Sequence, residues 1–366
     1  MSSKVNINIL TWNAEKYLRQ CLDSVLAQDY QNFEILIIDN NSQDKTGEII
    51  SDYLKSLKLK TQSSKPIEIN FIQNKENVGF AKGHNQGIKE TDGEYVMLLN
   101  QDAILAPNFL TEAIKVLEKD KTIGVVQPKV LRYDFGKNQP KDIFDTTGLL
   151  TLRNRRIINR GQGEKDEGQY NIEDEVFGAD GAVPIYRRRA LENTKLPISV
   201  NQRLPASKAG RDQRISALWE YFDQSFFAYK EDVDLAWRMK LYRWKTIYAS
   251  QVVAYHERGA GDSASTSGID IVRERRKISL FAKTLSWKNQ RLMQIKNEIP
   301  SLFLKHLPWI LWKEIRAWGY VILFEPKILK CLPDLFRQIP KALRQRRIIM
   351  RNKKVGAREM KRWFNS

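Results

Sequence analysis

The chain reads as an α/β fold: a doubly wound, mostly parallel sheet followed by a C-terminal helical, basic extension. Three observations predict it. Short apolar runs and amphipathic helical stretches alternate through the first 130 residues, which calls for right-handed crossovers and a sheet covered on both faces. The apolar run 95–99 ends abruptly in Asn100, Gln101 and Asp102, as a buried strand does at the carboxyl edge of a parallel sheet. The charge is also lopsided. Residues 1–270 hold 37 Lys and Arg against 37 Asp and Glu, whereas residues 271–366 hold 24 against 6. The net charge of +18 therefore belongs to the last quarter, which implies a neutral body with a basic attachment region.

The elements follow in order. Residues 5–10 form a strand, and 16–28 a helix with Tyr17, Leu18, Cys21, Leu22, Val25 and Leu26 at helical spacing. A second strand, 33–38, closes on Asp39-Asn40-Asn41-Ser42, and the Ser42/Asp44 region caps a helix over 47–57. Strand 67–72, helix 80–89, strand 95–99, helix 108–119 and strand 123–130 complete the alternating half. From 134 to 169 the periodicity fades into an irregular or hairpin-rich insertion, and 195–214 is similarly weak in pattern. Amphipathic pattern returns over 218–237, a further strand covers 246–254, and the Gly/Ser-rich stretch 259–270 reads as mobile. These readings divide the chain into a body, 1–258, with halves 1–130 and 131–258, a loop, 259–272, and a helical extension, 273–366.

Two distant cysteines, Cys21 and Cys331, fit a reducing compartment and exclude a disulfide framework or a zinc module. The N-terminal residues lack a signal-peptide layout, and no apolar run reaches the ~18 residues of a membrane span. The extension mixes Trp, Leu and Ile with Lys and Arg over 301–324, and residues 337–366 carry 11 Lys and Arg against one Glu. Together these predict association with an anionic membrane surface rather than passage through it. A basic tail also suits nucleic acid, but no reading module accompanies it, so no nucleic-acid partner is expected.

Four segments carry chemistry. Asp102 stands at a strand's carboxyl end, where a lone Asp is more often a turn residue. Glu231, Asp232 and Asp234 fall within four residues, beside the aromatic run Phe226-Phe227-Ala228-Tyr229. Dipole complementation at a helix start explains one or two of these acids. A desolvated carboxylate among them would have a raised pKa, as a general base requires. His256 follows the last body strand and, paired with Asp102, offers one nitrogen and one oxygen to a metal. The glycines of 76–87 allow close backbone approach to sugar or phosphate oxygens at a helix start.

In this order the segments resemble the glycosyltransferase family 2 enzymes of GT-A fold, within the branch containing bacterial rhamnosyltransferases. The matching residues are Asn8-Ile9-Leu10-Thr11-Trp12-Asn13 with Leu18, Cys21-Leu22-Asp23-Ser24-Val25 and Gln28. They continue through Ile38-Asp39-Asn40-Asn41-Ser42, Asn77-Val78-Gly79-Phe80-Ala81 with Asn85-Gln86-Gly87, Leu98-Leu99-Asn100-Gln101-Asp102, Glu231-Asp232-Val233-Asp234 and His256. The resemblance covers about residues 5–258 and leaves the extension outside.

It implies a GT-A type, Rossmann-like sheet and a set of roles. Asp39 would hydrogen-bond a pyrimidine base, with Trp12 stacking on it where the family usually places Tyr. Asn100 and Asp102 occupy the DxD-type motif, with Asn at the first acid, so Asp102 would be the main ligand of a divalent metal (Mg²⁺ or Mn²⁺). Asn100 would make at most a ribose or water-mediated contact. His256 would help bind metal or diphosphate, and Asp232, supported by Glu231, would be the catalytic base. Thr11, Asn13, Asn41, Gly79, Phe80, Asn85 and Gln101 would complete the nucleotide-sugar site. The implied reaction is inverting transfer from a dTDP- or UDP-sugar to a saccharide or polyprenol-linked acceptor, at the cytoplasmic face of the membrane. The competing readings are a sugar-phosphate nucleotidyltransferase and a non-catalytic sugar-nucleotide-binding scaffold. The first usually has a Gly-rich basic loop after strand one, which Thr11-Trp12-Asn13-Ala14-Glu15 is not.

Overall fold

A computed structural model describes residues 3–59, 67–198, 219–257 and 268–364. The alternating half folds as β1 (Val5–Thr11), α1 (Leu18–Leu26), β2 (Phe33–Asp39), α2 (Thr46–Leu59), β3 (Glu68–Gln73), α3 (Gly79–Glu90) and β4 (Tyr95–Asn100). After the short β5 (Ala103–Leu105) come α4 (Phe109–Lys119) and β6 (Ile123–Asp134). The weakly patterned stretch supplies β7 (Gln139–Thr146), the hairpin β8 (Leu149–Thr151) with β9 (Ile157–Asn159), and β10 (Asp174–Glu175). Then follow β11 (Ile185–Arg187), α5 (Arg188–Thr194), β12 (Leu196–Pro197), β13 (Trp219–Glu220), α6 (Glu231–Leu241) and β14 (Lys245–His256).

These strands build one 10-stranded sheet with the path β10-β14-β6-β11-β4-β1-β2-β3, β5 pairing with β14 and β7 with β6. β1 pairs in parallel with β2 and β4, β2 with β3, and β6 with β14. β10 and β5 pair antiparallel with β14, and β7 with β6; inside the sheet the departure from parallel order is β11, antiparallel to both β4 and β6. It wedges between two strands that a simple alternation would have made neighbours. At three residues it is too short to leave a periodic trace in the sequence. β6 also runs four residues beyond the expected strand, because its far end pairs with β7.

β4 shows why its sequence is apolar throughout. Tyr95, Met97 and Leu99 enter the core under α1, α2 and α4, while Val96 and Leu98 enter the core under α3, α5 and α6. Successive side chains point to opposite faces, so a strand covered on both sides cannot alternate polar and apolar. Each side chain so buried contributes about 1.5–3 kcal/mol.

The stretch expected to be amphipathic over 218–237 is instead β13, a single 3₁₀ turn at Gln224–Phe226 and α6. Positive φ angles at Phe227, Tyr229 and Lys230 (64°, 68° and 75°) forbid a continuous helix there. Leu218 itself lies outside the described residues, as do 199–214 of the second weak segment and 259–267 of the expected mobile loop. The end of that expected loop is helical from Gly268 onward.

The basic region comprises α7 (Gly268–Lys277), α8 (Leu280–Asn297), α9 (Pro300–Phe324), α10 (Leu332–Asn352) and α11 (Ala357–Lys361). Its helices share a core with the body: Trp287, Leu292, Met293 and Phe364 join the cluster that contains Phe177, Phe226 and Trp237. Buried charges stitch the two together. Lys296 reaches Asp223 and Asp234 at 2.8 Å each, and Asn297 donates to Asp234 at 2.7 Å. Arg155, wholly buried, is gripped by Glu298 at 2.6 and 2.9 Å. Asp234, one of the three clustered acids, is thereby a structural anchor rather than a site residue. None of the described helices is long and apolar enough to cross a membrane.

Glu298→Ala would leave the Arg155 guanidinium buried without its carboxylate. Chemical denaturation should show a loss of about 3–5 kcal/mol. A loss below about 1 kcal/mol would mean that the ion pair does not join the two regions energetically.

Candidate functional site

β1, β2 and β4 end side by side, and their last residues form the floor of a cleft. Thr11 donates to the Asp39 carboxylate at 2.9 Å, and Asp39 also accepts from the Ser42 amide (3.0 Å) and hydroxyl (2.5 Å). With 1 % of its surface exposed, Asp39 braces the turn after β2. These bonds leave one lone pair of Asp39 Oδ2 unshared. The loops after β1 and β4 are laced together: the Trp12 amide donates to Gln101 Oε1 (2.7 Å), and Gln101 Nε2 donates back to the Trp12 carbonyl (3.2 Å). This leaves the Trp12 ring 53 % exposed as a flat stacking surface.

A pocket of about 500 Å³ opens here, lined by Thr11, Trp12, Gly79, Phe80 and Gln101 together with Phe227, Ala228 and Tyr229. Gly79 has φ +81°, and a Cβ there would lie 2.6 Å from the Phe227 carbonyl oxygen. Glycine is thus required both for the turn and for the approach of the 227–230 loop.

Three of the expected nucleotide-site residues do something else. Asn85, 1 % exposed, donates to the Phe222 carbonyl (2.7 Å) and accepts from the amides of Tyr221 (3.0 Å) and Phe222 (2.9 Å). Buried and bonded at both ends of its amide, it pins Tyr221 and Phe222 next to β13. Asn13 and Asn41 take positive φ angles, 51° and 61°, and their side chains bond to Gln43. They shape the loops around the cleft without lining the pocket, as short amides tolerant of the left-handed region do.

A second pocket, about 470 Å³, adjoins the first through Phe80, Ala228 and Tyr229, and its lining includes Asn100, Asp180, Glu231, Asp232 and His256. On one side of it β4 and β14 bring Asp102 and His256 together, Nε2 to Oδ1 3.3 Å, with Asn100 Nδ2 3.4 Å from Nε2. His256 Nδ1 lies 2.9 Å from the fully buried carboxylate of Asp145 on β7. Burial alone would lower the His256 pKa, but Asp102 and Asp145 on either side push it up to about 10. Asp145 was not legible as a site residue, because it sits in the stretch whose periodicity had faded.

Among the described residues no three His, Cys, Asp or Glu side chains converge as a closed metal cage. The donor set present is Asp102 oxygen and His256 nitrogen, with Asp145 orienting the ring as outer carboxylates orient ligating imidazoles. Two protein donors fit Mg²⁺ or Mn²⁺ bound jointly with a diphosphate, since such ions keep several positions for phosphate oxygens and water.

On the pocket's other side stand the acids of α6. Glu231 is buried, and its Oε2 has no hydrogen-bond partner. Burial, reinforced by the neighbouring Asp232 charge, raises its pKa well above the ordinary value. Burial and the nearby Asp180 charge push Asp232 up to about 6. Asp180 belongs to the turn before β11, where Gly181 brings the backbone against Asp232: a Cβ on Gly181 would lie 3.5 Å from that of Asp232. Sequence pattern gave no sign of Asp180, a lone acid in a Gly/Ala-rich turn.

The loop joining the two pockets is held from the C-terminal region. Asn289 on α8, fully buried, donates through Nδ2 to the carbonyls of Phe226 (3.0 Å), Ala228 (3.0 Å) and Tyr229 (2.7 Å). Lys288 adds a bond to the Ser225 carbonyl at 3.1 Å. The acids of α6 are therefore aimed by a helix that lies outside the motif-bearing body.

A mostly parallel sheet with helices on both faces and this site at its carboxyl edge is a GT-A type fold. The sequence profile of the family described as Glycosyl transferase family 2 matches residues 7–194, and the chain belongs to that family. Glycosyltransferase GlyG of Streptococcus pneumoniae serotype 4 is 28% identical over 169 residues, 45% of this chain and 52% of GlyG. The poly(ribitol-phosphate) β-N-acetylglucosaminyltransferase TarS of Staphylococcus aureus is 28% identical over 159 residues, 42% of this chain and 26% of TarS. The chain thus matches about half or less of the length of these curated relatives. In structure it resembles S. aureus TarS 1-349 in complex with UDP-GlcNAc (TM-score 0.51, 16% identity, 98% of this chain and 91% of that one). It also resembles GalNAc-T7 with UDP, GalNAc and Mn²⁺ (TM-score 0.53, 12% identity, 88% of this chain and 58% of that one). At these identities the likeness establishes the fold.

Two measurements check the geometry. Asn289→Ala should speed amide hydrogen exchange across 227–232 and cost about 1–3 kcal/mol of stability; unchanged exchange there would contradict the anchoring. In the metal-free protein the His256 ring should stay protonated through neutral pH by NMR, since a raised pKa keeps the proton until the pH climbs towards about 10. Asp145→Asn should bring its titration down, and an unshifted titration would contradict the pairing.

Proposed function

We propose that this chain is an inverting, metal-dependent glycosyltransferase that uses a dTDP- or UDP-sugar, with rhamnose the sugar favoured by the sequence resemblance. The observation that carries the reading is one pocket lined both by His256, the partner of Asp102, and by Asp232. Asp102 is charge-paired with His256, whereas Asp232 has no opposite charge within ion-pair distance among the described residues and is held near a pKa of about 6. Environments that push carboxylate pKa values apart separate acid–base roles.

In this reading the nucleotide base stacks on Trp12 and the diphosphate lies towards the ends of β4 and β14. A divalent cation held by Asp102, and by His256 once its Nε2 proton is released to solvent, would supply charge neutralisation for the departing diphosphate. The protein's own work is on the acceptor side. Asp232 takes the proton of the acceptor hydroxyl as its oxygen bonds to the anomeric carbon and the bond from that carbon to the diphosphate oxygen breaks. Attack from the face opposite the leaving group inverts the anomeric centre. Glu231, its pKa raised well above the usual range by burial and by the Asp232 charge, holds its proton more tightly beside Asp232. The Phe227–Lys230 loop closes both pockets and limits access of water to the sugar. The sugar goes to a saccharide or polyprenol-linked acceptor at the inner face of the cell membrane.

Asp232→Asn should lower turnover of the matching sugar nucleotide by roughly 10²–10⁴-fold while nucleotide affinity is little changed. Because the base must be ionised, the rate should rise as pH climbs through about 6 and then level off. Asp180→Asn removes a like charge and should move that rising limb to lower pH. Wild-type turnover in Asp232→Asn would refute the assignment of the base.

A further inference from the structure

α9 carries an apolar stripe with no partner in the fold. Leu304, Leu311, Trp312, Ile315 and Ile322 are spaced by 7, 1, 3 and 7 residues, so they line a single helical face. They are 66, 49, 63, 63 and 54 % exposed. Gly319 continues the same face, and a Cβ there would meet nothing within 4 Å. The opposite face of the helix is packed, through Leu302, His306, Ile310 and Val321. A contiguous exposed stripe about 27 Å long, at 1.5 Å per residue, is far from the scattered single apolar residues of an ordinary surface.

We infer that this stripe is the surface by which the protein lies on an anionic lipid bilayer, an inference that deepens the membrane-side reading and rests on it. Three observations select lipid over a second copy of the chain. Exposed Lys305 and Arg316 each follow a stripe residue by one position and so lie along one flank of it, as cations do on helices set in the headgroup plane. Residues 271–366 hold 24 basic against 6 acidic residues, so pairing two such regions opposes like charges, whereas anionic headgroups complement them. Trp312, 63 % exposed on the stripe, is the kind of side chain that settles at a membrane–water boundary.

The same helix is rigidly linked to the acceptor side of the site. Glu325, immediately after α9, pairs with Arg275 (2.6 Å) and Lys283 (2.9 Å). Both of these cations line the pocket that contains Asp232. An acceptor carried by the bilayer is therefore presented to Asp232 by the element that holds the enzyme to the lipid.

The test uses the full chain and sedimentation with phosphatidylcholine vesicles, with and without phosphatidylglycerol. The wild type should pellet with the anionic vesicles and much less with the neutral ones. Leu311→Glu with Ile315→Glu, both solvent-facing, should reduce that partition by on the order of tenfold or more without changing the melting temperature. Wild-type partition by the double variant, or no pelleting of the wild type, would overturn the inference. So would a change from dimer to monomer in the double variant, seen by sedimentation velocity, with no vesicle binding by the wild type. Vesicle pelleting in a protein that gives no response to any nucleoside diphosphate would support this surface while refuting the transferase reading.

Discussion

The site depends on the grip of Asn289 on the loop from Phe226 to Lys230. Three residues of that loop are non-glycine with positive φ, and each such residue costs on the order of 1–3 kcal/mol unless its surroundings enforce it. One side-chain amide offered to three carbonyls supplies the enforcement. The loop walls the nucleotide-side pocket, joins it to the acceptor-side pocket and delivers Glu231 and Asp232 at the start of α6. Because Asn289 sits on α8, the catalytic geometry extends into the basic helices.

Electrostatics then differentiates carboxylates that look alike in sequence. Asp234 is consumed by Lys296 and Asn297 and holds the helices together. Asp102 and Asp145 flank the two ring nitrogens of His256. Glu231 and Asp232 are buried beside one another and near Asp180, and burial with these like charges outweighs the neighbouring Lys230, so both hold protons more tightly. A carboxylate–imidazole pair suits a cation; a proton-accepting group at about pH 6 suits a hydroxyl. The arrangement needs both on one pocket, and the strands β4 and β14 and helix α6 bring them there.

Much of this was legible before any coordinates. The apolar run of β4 stopping at Asn100 and Asp102 is dictated by burial on both faces, and the pattern marks the edge of the site directly. The acidic start of α6 was equally visible, though not which of its acids is structural, since that depends on Lys296, some sixty residues later in the chain. What stayed hidden has a common cause: it depends on long-range partners rather than on local periodicity. β11 is three residues long, Asp145 lies in an irregular insertion, and Asp180 is a single acid in a turn. Asn85 read as a ligand residue because its motif is local, while its actual partners at 221 and 222 are far along the chain. Asn289 gave no signal at all.

The account stands or falls on whether the pocket beside Trp12 takes a nucleoside diphosphate with a divalent ion. A thermal-shift series with UDP, dTDP, GDP and CMP, each with and without Mn²⁺, measures this most directly. Stabilisation by UDP or dTDP only when Mn²⁺ is present, and lost in Asp102→Asn, is the result predicted. Absence of a shift with every nucleotide, or an equal metal-dependent shift in Asp102→Asn, would contradict it.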